Sequence, residues 1–330
     1  MQNNYMSIIR VENLTKKFNG FVAVDSINFT VQKGEIFGFL GPNGAGKSTT
    51  INMLSTILAP SEGEAFVNNF NIQSERDDVR KSIGLVFQDP SLDDQLTAEE
   101  NLRFHARLYG IPDDDFQKRK KEVLELVDLL DRKNELIRNF SGGMKRRLEI
   151  ARGLIHYPQV LFLDEPTIGL DPQTRSHLWE YILKLKHGKR MTIFMTTHYM
   201  NEAEYCDRIA IIDHGKIVAL DTPDNLKKSV RKDIITIKSR SLESVKKELQ
   251  GISNIKVREK NESLYVEVSD GESFLPKLIK QITSPIDALE LRKPTLDDVF
   301  LHLTGRAIRE EEASNKDKMR QHMRMRRGHN

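Results

Sequence analysis

The stretch Gly41-Pro42-Asn43-Gly44-Ala45-Gly46-Lys47-Ser48 is the most informative part of this chain. It fits the pattern G-x-x-x-x-G-K-[ST], in which glycines let the backbone curl until several N–H groups face one bound anion. An apolar strand pattern, Glu35–Leu40, precedes it, and a helical pattern, Lys47–Leu58, follows it. The positive N-terminal end of that helix adds to the attraction. The stretch therefore predicts a triphosphate-binding loop, with Lys47 reaching the β- and γ-phosphates and Ser48 ligating Mg²⁺.

The composition limits what the chain can be. Its 330 residues are 38% hydrophobic and 30% charged, which suits one large globular domain and a smaller one. A net charge of +3 is too small to indicate a nucleic-acid partner. Cys206 is the one cysteine, so no intramolecular disulfide can form. The apolar runs are far shorter than the roughly 20 residues of a membrane span, so any path across a bilayer is expected in another chain.

Residues 1–225 are predicted to form one α/β domain. Short apolar segments alternate with amphipathic helical ones, as expected for parallel strands covered on both faces. The buried-strand candidates after the phosphate-binding loop are Gly84–Phe87, Val160–Asp164 and Thr192–Thr196. Alternating residues on both sides of His214-Gly215 indicate a hairpin near the end of this domain.

The pattern changes after this domain. Residues 226–305 show the order β-α-β-β-α-β, which indicates a small ferredoxin-like α+β domain. Its last helix is predicted to begin at a capping box formed by Thr295 and Asp298. Residues 306–330 are charged and are predicted to be a flexible tail.

Two carboxylates stand at the end of the buried strand Val160–Asp164. Open α/β sheets bind ligands at the carboxyl ends of their strands, so Asp164 and Glu165 are expected beside the phosphate-binding loop. Asp164 is placed to hold Mg²⁺ through water, and Glu165 to act as base on an attacking water. The phosphate-binding loop in the same chain favours this interpretation over an acidic pair that merely faces solvent.

The stretch Phe140-Ser141-Gly142-Gly143-Met144-Lys145-Arg146-Arg147-Leu148-Glu149-Ile150-Ala151-Arg152 lies before this strand. It resembles the signature motif of ABC ATPases, which begins with Ser-Gly-Gly. The resemblance implies a P-loop NTPase cassette with a RecA-like core, an antiparallel β subdomain and a helical subdomain. The nucleotide is then ATP, and its contacts are expected to include Thr49 after the loop. Ser141 and the amides of Gly142 and Gly143 would form a second phosphate site at a helix start, which in the family serves the ATP held by a partner chain.

The resemblance implies further site residues. Gln88 looks like the Q-loop glutamine, which senses Mg²⁺ and couples to the membrane subunit. Asp171 looks like the D-loop aspartate at the dimer seam, and His198 like the switch histidine that contacts the γ-phosphate. Phe18 stands where the family has an adenine-stacking aromatic; Phe21 is a rival for that role, and a core position is the other interpretation of Phe18.

Two features are similar to the daunorubicin-resistance ATPase subfamily. One is Ser-Gly-Gly-Met followed by a basic pair, and the other is the C-terminal Leu296-Asp297-Asp298-Val299-Phe300-Leu301. Met144 replaces the usual signature glutamine and cannot supply the donors and acceptor of an amide. The likeness implies a subunit that energises export, with drugs or other lipophilic compounds as cargo.

The resemblance also implies an assembly. A homodimer would bind two ATP between its chains and drive a separately encoded integral membrane permease from the cytoplasmic face of the cell membrane, through a coupling surface in Gln88–Tyr109. The alternative is a soluble ABC ATPase acting in nucleic-acid or translation processes, although such proteins usually carry two cassettes or long inserted arms. A P-loop kinase is a third possibility that the Ser-Gly-Gly segment argues against. No nucleic-acid partner is expected.

Overall fold

The computed structural model describes residues 7–89, 91–189, 191–230, 233–252, 255–260 and 263–305. The predicted flexible tail, 306–330, lies outside the described residues. The chain divides into two compact units, and the division falls between Pro223 and Asp224.

The first unit contains two β-sheets. An antiparallel sheet has the order β2-β1-β4-β5 and consists of β1 (Ser7–Phe18), β2 (Phe21–Gln32), β4 (Glu62–Val67) and β5 (Phe70–Asn71). A six-stranded sheet has the order β10-β9-β3-β8-β7-β6 and consists of β3 (Ile36–Leu40), β6 (Ile83–Val86), β7 (Val160–Asp164), β8 (Thr192–Thr197), β9 (Arg208–Asp213) and β10 (Lys216–Asp221). Its strands are parallel except β10, which pairs with β9 in the predicted hairpin.

Helices connect these strands. In chain order they are α1 (Lys47–Leu54), α2 (Arg76–Ser82), α3 (Ala98–Leu108), α4 (Asp113–Leu126), α5 (Gly142–Leu154), α6 (Pro172–Lys189) and α7 (Met200–Ala203), and α8 (Pro223–Val230) spans the division between the units. The first helix ends four residues before the predicted Leu58. Thr56 adopts a φ of 64°, a left-handed conformation that an α-helix cannot contain.

An aromatic cluster packs the two sheets of the first unit together. Phe29 of β2 lies against Phe37 and Phe39 of β3 and against Phe194 of β8, with ring centroids 5.4 to 6.0 Å apart. Phe162 of β7 extends the cluster at 5.5 Å from Phe194. These strands are almost fully buried, so the short apolar segments form the sheet centre as predicted. Because β3, β6, β7 and β8 run parallel, their carboxyl ends share one edge, and ligands bind at that edge in this class of sheet.

The second unit has the element order β-α-β-β-α-β, followed by a final helix. It consists of β11 (Asp233–Lys238), α9 (Leu242–Gln250), β12 (Lys256–Lys260), β13 (Ser263–Val268), α10 (Gly271–Gln281), β14 (Ala288–Arg292) and α11 (Leu296–Thr304). The strands pair antiparallel in the order β12-β13-β11-β14. Alternate residues of the central strand, Ile235 and Ile237, are fully buried and pack with helix residues such as Val245 and Leu278.

The final helix of this unit has the predicted start. Thr295 accepts a hydrogen bond from the Asp298 N–H, and the Asp298 carboxylate accepts one from the Thr295 N–H. This is a capping box with Asp in the place of Glu. No helix within the described ranges combines the length and the apolar character needed to cross a membrane.

Candidate nucleotide-binding site

The phosphate-binding loop joins the buried strand β3 to α1. Gly46 precedes the helix with a φ of 108°, and Gly44 has a φ of 84°, both in the region that favours glycine. Glycine is also required by space: a Cβ on Gly46 would lie 2.6 Å from the Ala23 carbonyl oxygen, and one on Gly41 would lie 2.3 Å from that of Ile212. The backbone can therefore curl here only with the residues that the pattern predicts.

Lys47 joins the loop to the acidic end of β7. Its ammonium donates to the carbonyl oxygens of Gly41 at 2.8 Å and Pro42 at 3.0 Å, and it lies 3.0 Å from Oε1 of Glu165. The lysine side chain is only 4% exposed, so its partners rather than water solvate its charge.

The Asp164 carboxylate lies beside the start of α1. Its Oδ1 accepts hydrogen bonds from Ser48 Oγ at 3.2 Å and from Thr196 Oγ1 at 2.5 Å. Mg²⁺ prefers oxygen ligands and usually keeps several of its waters. The Ser48 hydroxyl and the Asp164 carboxylate, side by side, fit an ion that Ser48 would ligate directly and Asp164 would hold through water.

Thr196 is a residue that the motifs did not reveal. Its hydroxyl donates to Asp164 and accepts from the Glu165 N–H at 3.0 Å, so it orients both members of the acidic pair. Its signal in the sequence is weak: a threonine inside an apolar strand is also an ordinary β-forming residue.

Glu165 occupies a strained turn and is held at both oxygens. Its φ of 45° is rare for a residue with a side chain. His198 Nδ1 lies 3.0 Å from Oε2, opposite the Lys47 contact at Oε1. Burial raises the pKa of this carboxyl, but the hydrogen bond from His198 and the charge of Lys47 outweigh burial and lower the pKa from 4.5 to about 2. The group is therefore an anion at neutral pH.

A cavity of about 480 Å³ opens in front of these groups. It is lined by Phe18, Phe21, Ala23, Asn43, Gly44, Gly46, Lys47, Ser48, Thr49, Gln88 and Glu165. Phe18 and Phe21 face each other across the β1–β2 turn and are 43% and 65% exposed, so Phe18 is not a core residue. Both rings border the cavity, so each is positioned to stack on a base.

The Ser-Gly-Gly segment lies elsewhere. Ser141 caps α5 by accepting from the Met144 N–H at 3.3 Å, and Gly143 packs so tightly that a Cβ there would lie 2.3 Å from Cγ2 of Thr174. These residues line a separate cavity of about 270 Å³, which shares no lining residue with the first. Within one chain, the segment and the phosphate-binding loop are not brought together.

Asp171 and Glu202 take part in the turns near the acidic pair. Asp171 precedes α6 and accepts hydrogen bonds from the Thr174 N–H at 3.0 Å and hydroxyl at 2.6 Å, which lower its pKa. Glu202, which the sequence did not single out, is 1% exposed and accepts from Thr167 and from Thr197, the residue before His198. Burial raises the pKa of Glu202.

The fold and the site together define a class, the nucleotide-binding cassettes with a phosphate loop, an acidic strand end and a Ser-Gly-Gly helix. Residues 24–168 match a family model described as ABC transporter. Residues 222–304 match the model of the C-terminal domain of DrrA1-3-like ATP-binding proteins.

Curated relatives match over most of the chain. The linearmycin resistance ATP-binding protein LnrL of Bacillus subtilis is 37% identical, over 92% of this chain and 100% of the relative. The daunorubicin resistance ATP-binding protein DrrA3 of Streptomyces coeruleorubidus is also 37% identical, over 93% and 98%.

The matches to solved structures cover about two thirds of this chain. An ATP-binding subunit of an ABC transporter superposes with a TM-score of 0.61 at 29% identity, covering 68% of this chain and 93% of that one. A cassette described as dimeric, in a post-hydrolysis state and bound to ADP and Pi, gives 0.59 at 29% identity, covering 65% and 98%. The chain belongs to the ABC transporter ATP-binding proteins, with a DrrA-like C-terminal domain, and it is an ATPase. The predicted cassette fold and family are thereby confirmed.

Proposed function

We propose that this ATPase energises the export of drugs or other lipophilic compounds. It would act as a homodimer bound at the inner face of the cell membrane to a separately encoded permease. The cargo class is supported by the relatives, which are named for resistance to linearmycin and daunorubicin. This chain matches both relatives over nearly their whole length, and the likeness includes the C-terminal domain.

The residues of one chain would bind and orient the triphosphate. Lys47 and the amides of the phosphate-binding loop would hold the β- and γ-phosphates, and an aromatic ring at Phe18 or Phe21 would stack on adenine. Ser48, Asp164 and Gln88 would hold Mg²⁺, which when bound neutralises charge on the phosphates.

Glu165 is proposed as the base, and His198 as its orienting partner and a contact of the γ-phosphate. Glu165 is ionised, as a base must be, but Lys47 and His198 hold both of its oxygens and lower its pKa, which makes it a weak base in this state. The γ-phosphate would compete for Lys47 and His198 because it is the stronger anion, which would free Glu165 to act on water.

The observation that carries the proposal is the separation of the two cavities. The described residues that line the loop cavity include Lys47, Ser48 and Glu165, and none of them belongs to the Ser-Gly-Gly segment. Ser141, exposed at the positive start of α5, offers a donor for the outer face of the γ-phosphate, but it lines a different cavity. A second copy of the chain, with Asp171 at the seam, would complete the site.

Mixed dimers test this half-site. Lys47→Ala removes the phosphate contact and Ser141→Ala removes the signature hydroxyl, so each homodimer should lose about 10²- to 10³-fold in turnover. A mixed dimer has one site with both defects and one site with neither. Purification through two different affinity tags, followed by phosphate release, should recover activity in the mixed dimer only.

The turnover of the mixed dimer shows whether one site takes residues from both chains. If the mixed dimer is no more active than the two homodimers, Lys47 and Ser141 of different chains do not share a site, and the proposal is wrong.

A further inference from the structure

Arg146 is a buried cation in the second turn of α5, with 6% of its surface exposed. Its guanidinium serves three backbone carbonyls: Nε donates to Pro166 at 2.7 Å, Nη2 to Asp164 at 3.1 Å, and Nη1 to Phe87. The same Nη1 lies 3.0 Å from the carboxylate of Glu149, one turn further along the helix. All of these acceptors belong to the segments that carry the site or to α5 itself.

The same helix also bonds to the chain beyond Gln88, at Ser91. Glu149 accepts from the Ser91 N–H at 2.8 Å. Arg152 donates to the Ser91 carbonyl at 2.7 Å and to its hydroxyl at 2.5 Å. Gln88 therefore lies between two attachments to α5, one at Phe87 and one at Ser91.

Only arginine can make this set of contacts. Its planar group offers five N–H donors in a fixed geometry, while glutamine offers two and lysine offers three from one point. Without Arg146, the carbonyl oxygens of Pro166 and Asp164 would each lose a buried hydrogen bond, and an unsatisfied buried acceptor is costly.

We propose that Arg146 is a positioning residue that connects the two ATP sites of the dimer. This inference rests on the proposed function, in which the start of α5 contacts the nucleotide of the partner chain. Movement of α5 on that contact would be transmitted by Arg146 to Asp164, by the turn at Pro166 to Glu165, and by Phe87 to Gln88. Each chain would thus adjust its own site to the nucleotide held opposite.

The mixed dimer with one intact site allows a direct test. We call the chain with Ser141→Ala the loop donor, because it supplies Lys47 and Glu165, and the chain with Lys47→Ala the signature donor. Arg146→Gln is introduced into either chain alone, and MgATP turnover is measured as kcat and KM. A misplacement of about 1 Å can lower a rate by about 10²-fold, so we expect kcat to fall ~10-fold or more in both placements, with KM changed little.

Comparing kcat with Arg146→Gln in the loop donor and in the signature donor tests whether Arg146 connects the two sites. A fall only in the loop donor means that Arg146 supports its own Asp164 and does not connect the sites, which overturns the inference. No fall in either placement overturns it as well. If the parent mixed dimer without Arg146→Gln is inactive, the proposed function fails instead, so the two failures are distinguishable.

Two controls address folding. Arg208→Gln removes an arginine that likewise bonds a carbonyl, of Thr30, and a carboxylate, of Glu35, but away from the site. It should lower the melting temperature in either placement without lowering kcat. Arg146→Lys keeps the charge with fewer donors and should restore part of the lost kcat. A fall in kcat with Arg208→Gln that equals the fall with Arg146→Gln would contradict the inference.

Discussion

Glu165 and Lys47 form a buried ion pair inside the site that we propose for the triphosphate. Their charged atoms lie 3.0 Å apart with both side chains nearly inaccessible to water. A bound phosphate must share Lys47 with this carboxylate, and two anions near one cation weaken each other's binding. The carboxylate is therefore expected to oppose nucleotide binding while it serves hydrolysis.

Replacing Glu165 by Gln tests both effects. The variant should lower turnover by about 10²- to 10⁴-fold, the usual contribution of a general base. Because the competing negative charge is gone, it should also bind ADP more tightly than the unaltered chain. Phosphate release and the fluorescence of a labelled ADP measure the two quantities, with Glu204→Gln, an acidic residue of the turn after α7, as control. Unchanged turnover would exclude Glu165 as the base.

The pKa of Glu165 also predicts how stability depends on pH. A carboxyl whose pKa is lowered on folding, here from 4.5 to about 2, stabilises the fold above pH 4.5. That contribution is lost as the pH falls from 4.5 towards 2. The free energy of unfolding should therefore fall more for the unaltered chain than for Glu165→Gln in this range. Urea unfolding followed through Trp179, the one tryptophan, measures the difference, and parallel curves would contradict the prediction.

At this scale the sequence predicts what is local and misses what is distant. The phosphate-binding loop is contiguous, so its pattern identified Lys47 and Ser48. The Thr196 hydroxyl meets Asp164 across 32 positions, and Arg146 meets Phe87 across 59. No spacing rule covers such contacts, because the order of strands in the sheet brings them together.

At the scale of elements, the capping box of α11 predicts a measurable stability. Thr295→Ala removes the oxygen that caps the Asp298 N–H, which should destabilise the second unit by about 1 kcal/mol. Thr295→Ser keeps the oxygen and should restore most of it. Trp179 lies in the first unit, so amide hydrogen exchange across Leu296–Thr304 is the suitable measurement. Equal exchange in the Ala and Ser variants would show that the cap contributes nothing.

The burial of an element decides whether the sequence predicts it. Strands such as β3, β7 and β8 are buried on both faces and appear as apolar runs. In the second unit, buried residues alternate with more exposed ones along β11 and along most of β13, which is the pattern of strands covered on one face. By contrast, β5 has two residues, and α2 has seven with Val79 as its one apolar residue, so neither produces a periodic pattern. β5 forms because it pairs with β4, and α2 leads directly into β6.

At the scale of the whole molecule, α3 exposes two apolar side chains, and we propose that they contact a membrane subunit. Phe104 and Leu108 are four residues apart, so they share a helix face, and they are 62% and 67% exposed. Both lie in the segment that the family resemblance assigns to coupling. An exposed pair of this size suits an apolar contact on a membrane subunit.

Substitution of both residues by Ser tests that role. Phe104→Ser with Leu108→Ser should leave the ATPase activity of the purified dimer nearly unchanged, because neither side chain lines the nucleotide cavity. The share of the protein that sediments with membranes, when the permease is coexpressed, should fall several-fold. Ile279→Ser, which removes an equally exposed apolar residue from the second unit, is the control. Unchanged sedimentation would argue against α3 as the docking surface.

Gly143 has a consequence for genetics. The contact of its backbone with Thr174 leaves no room for a methyl group, quite apart from any nucleotide. A loss-of-function allele at position 143 therefore mixes a packing defect with a binding defect. Suppression by Thr174→Ser, which removes Cγ2 but keeps the hydroxyl that bonds Asp171, would repair the packing alone, so the activity still missing in such a revertant measures what the glycine does for ATP.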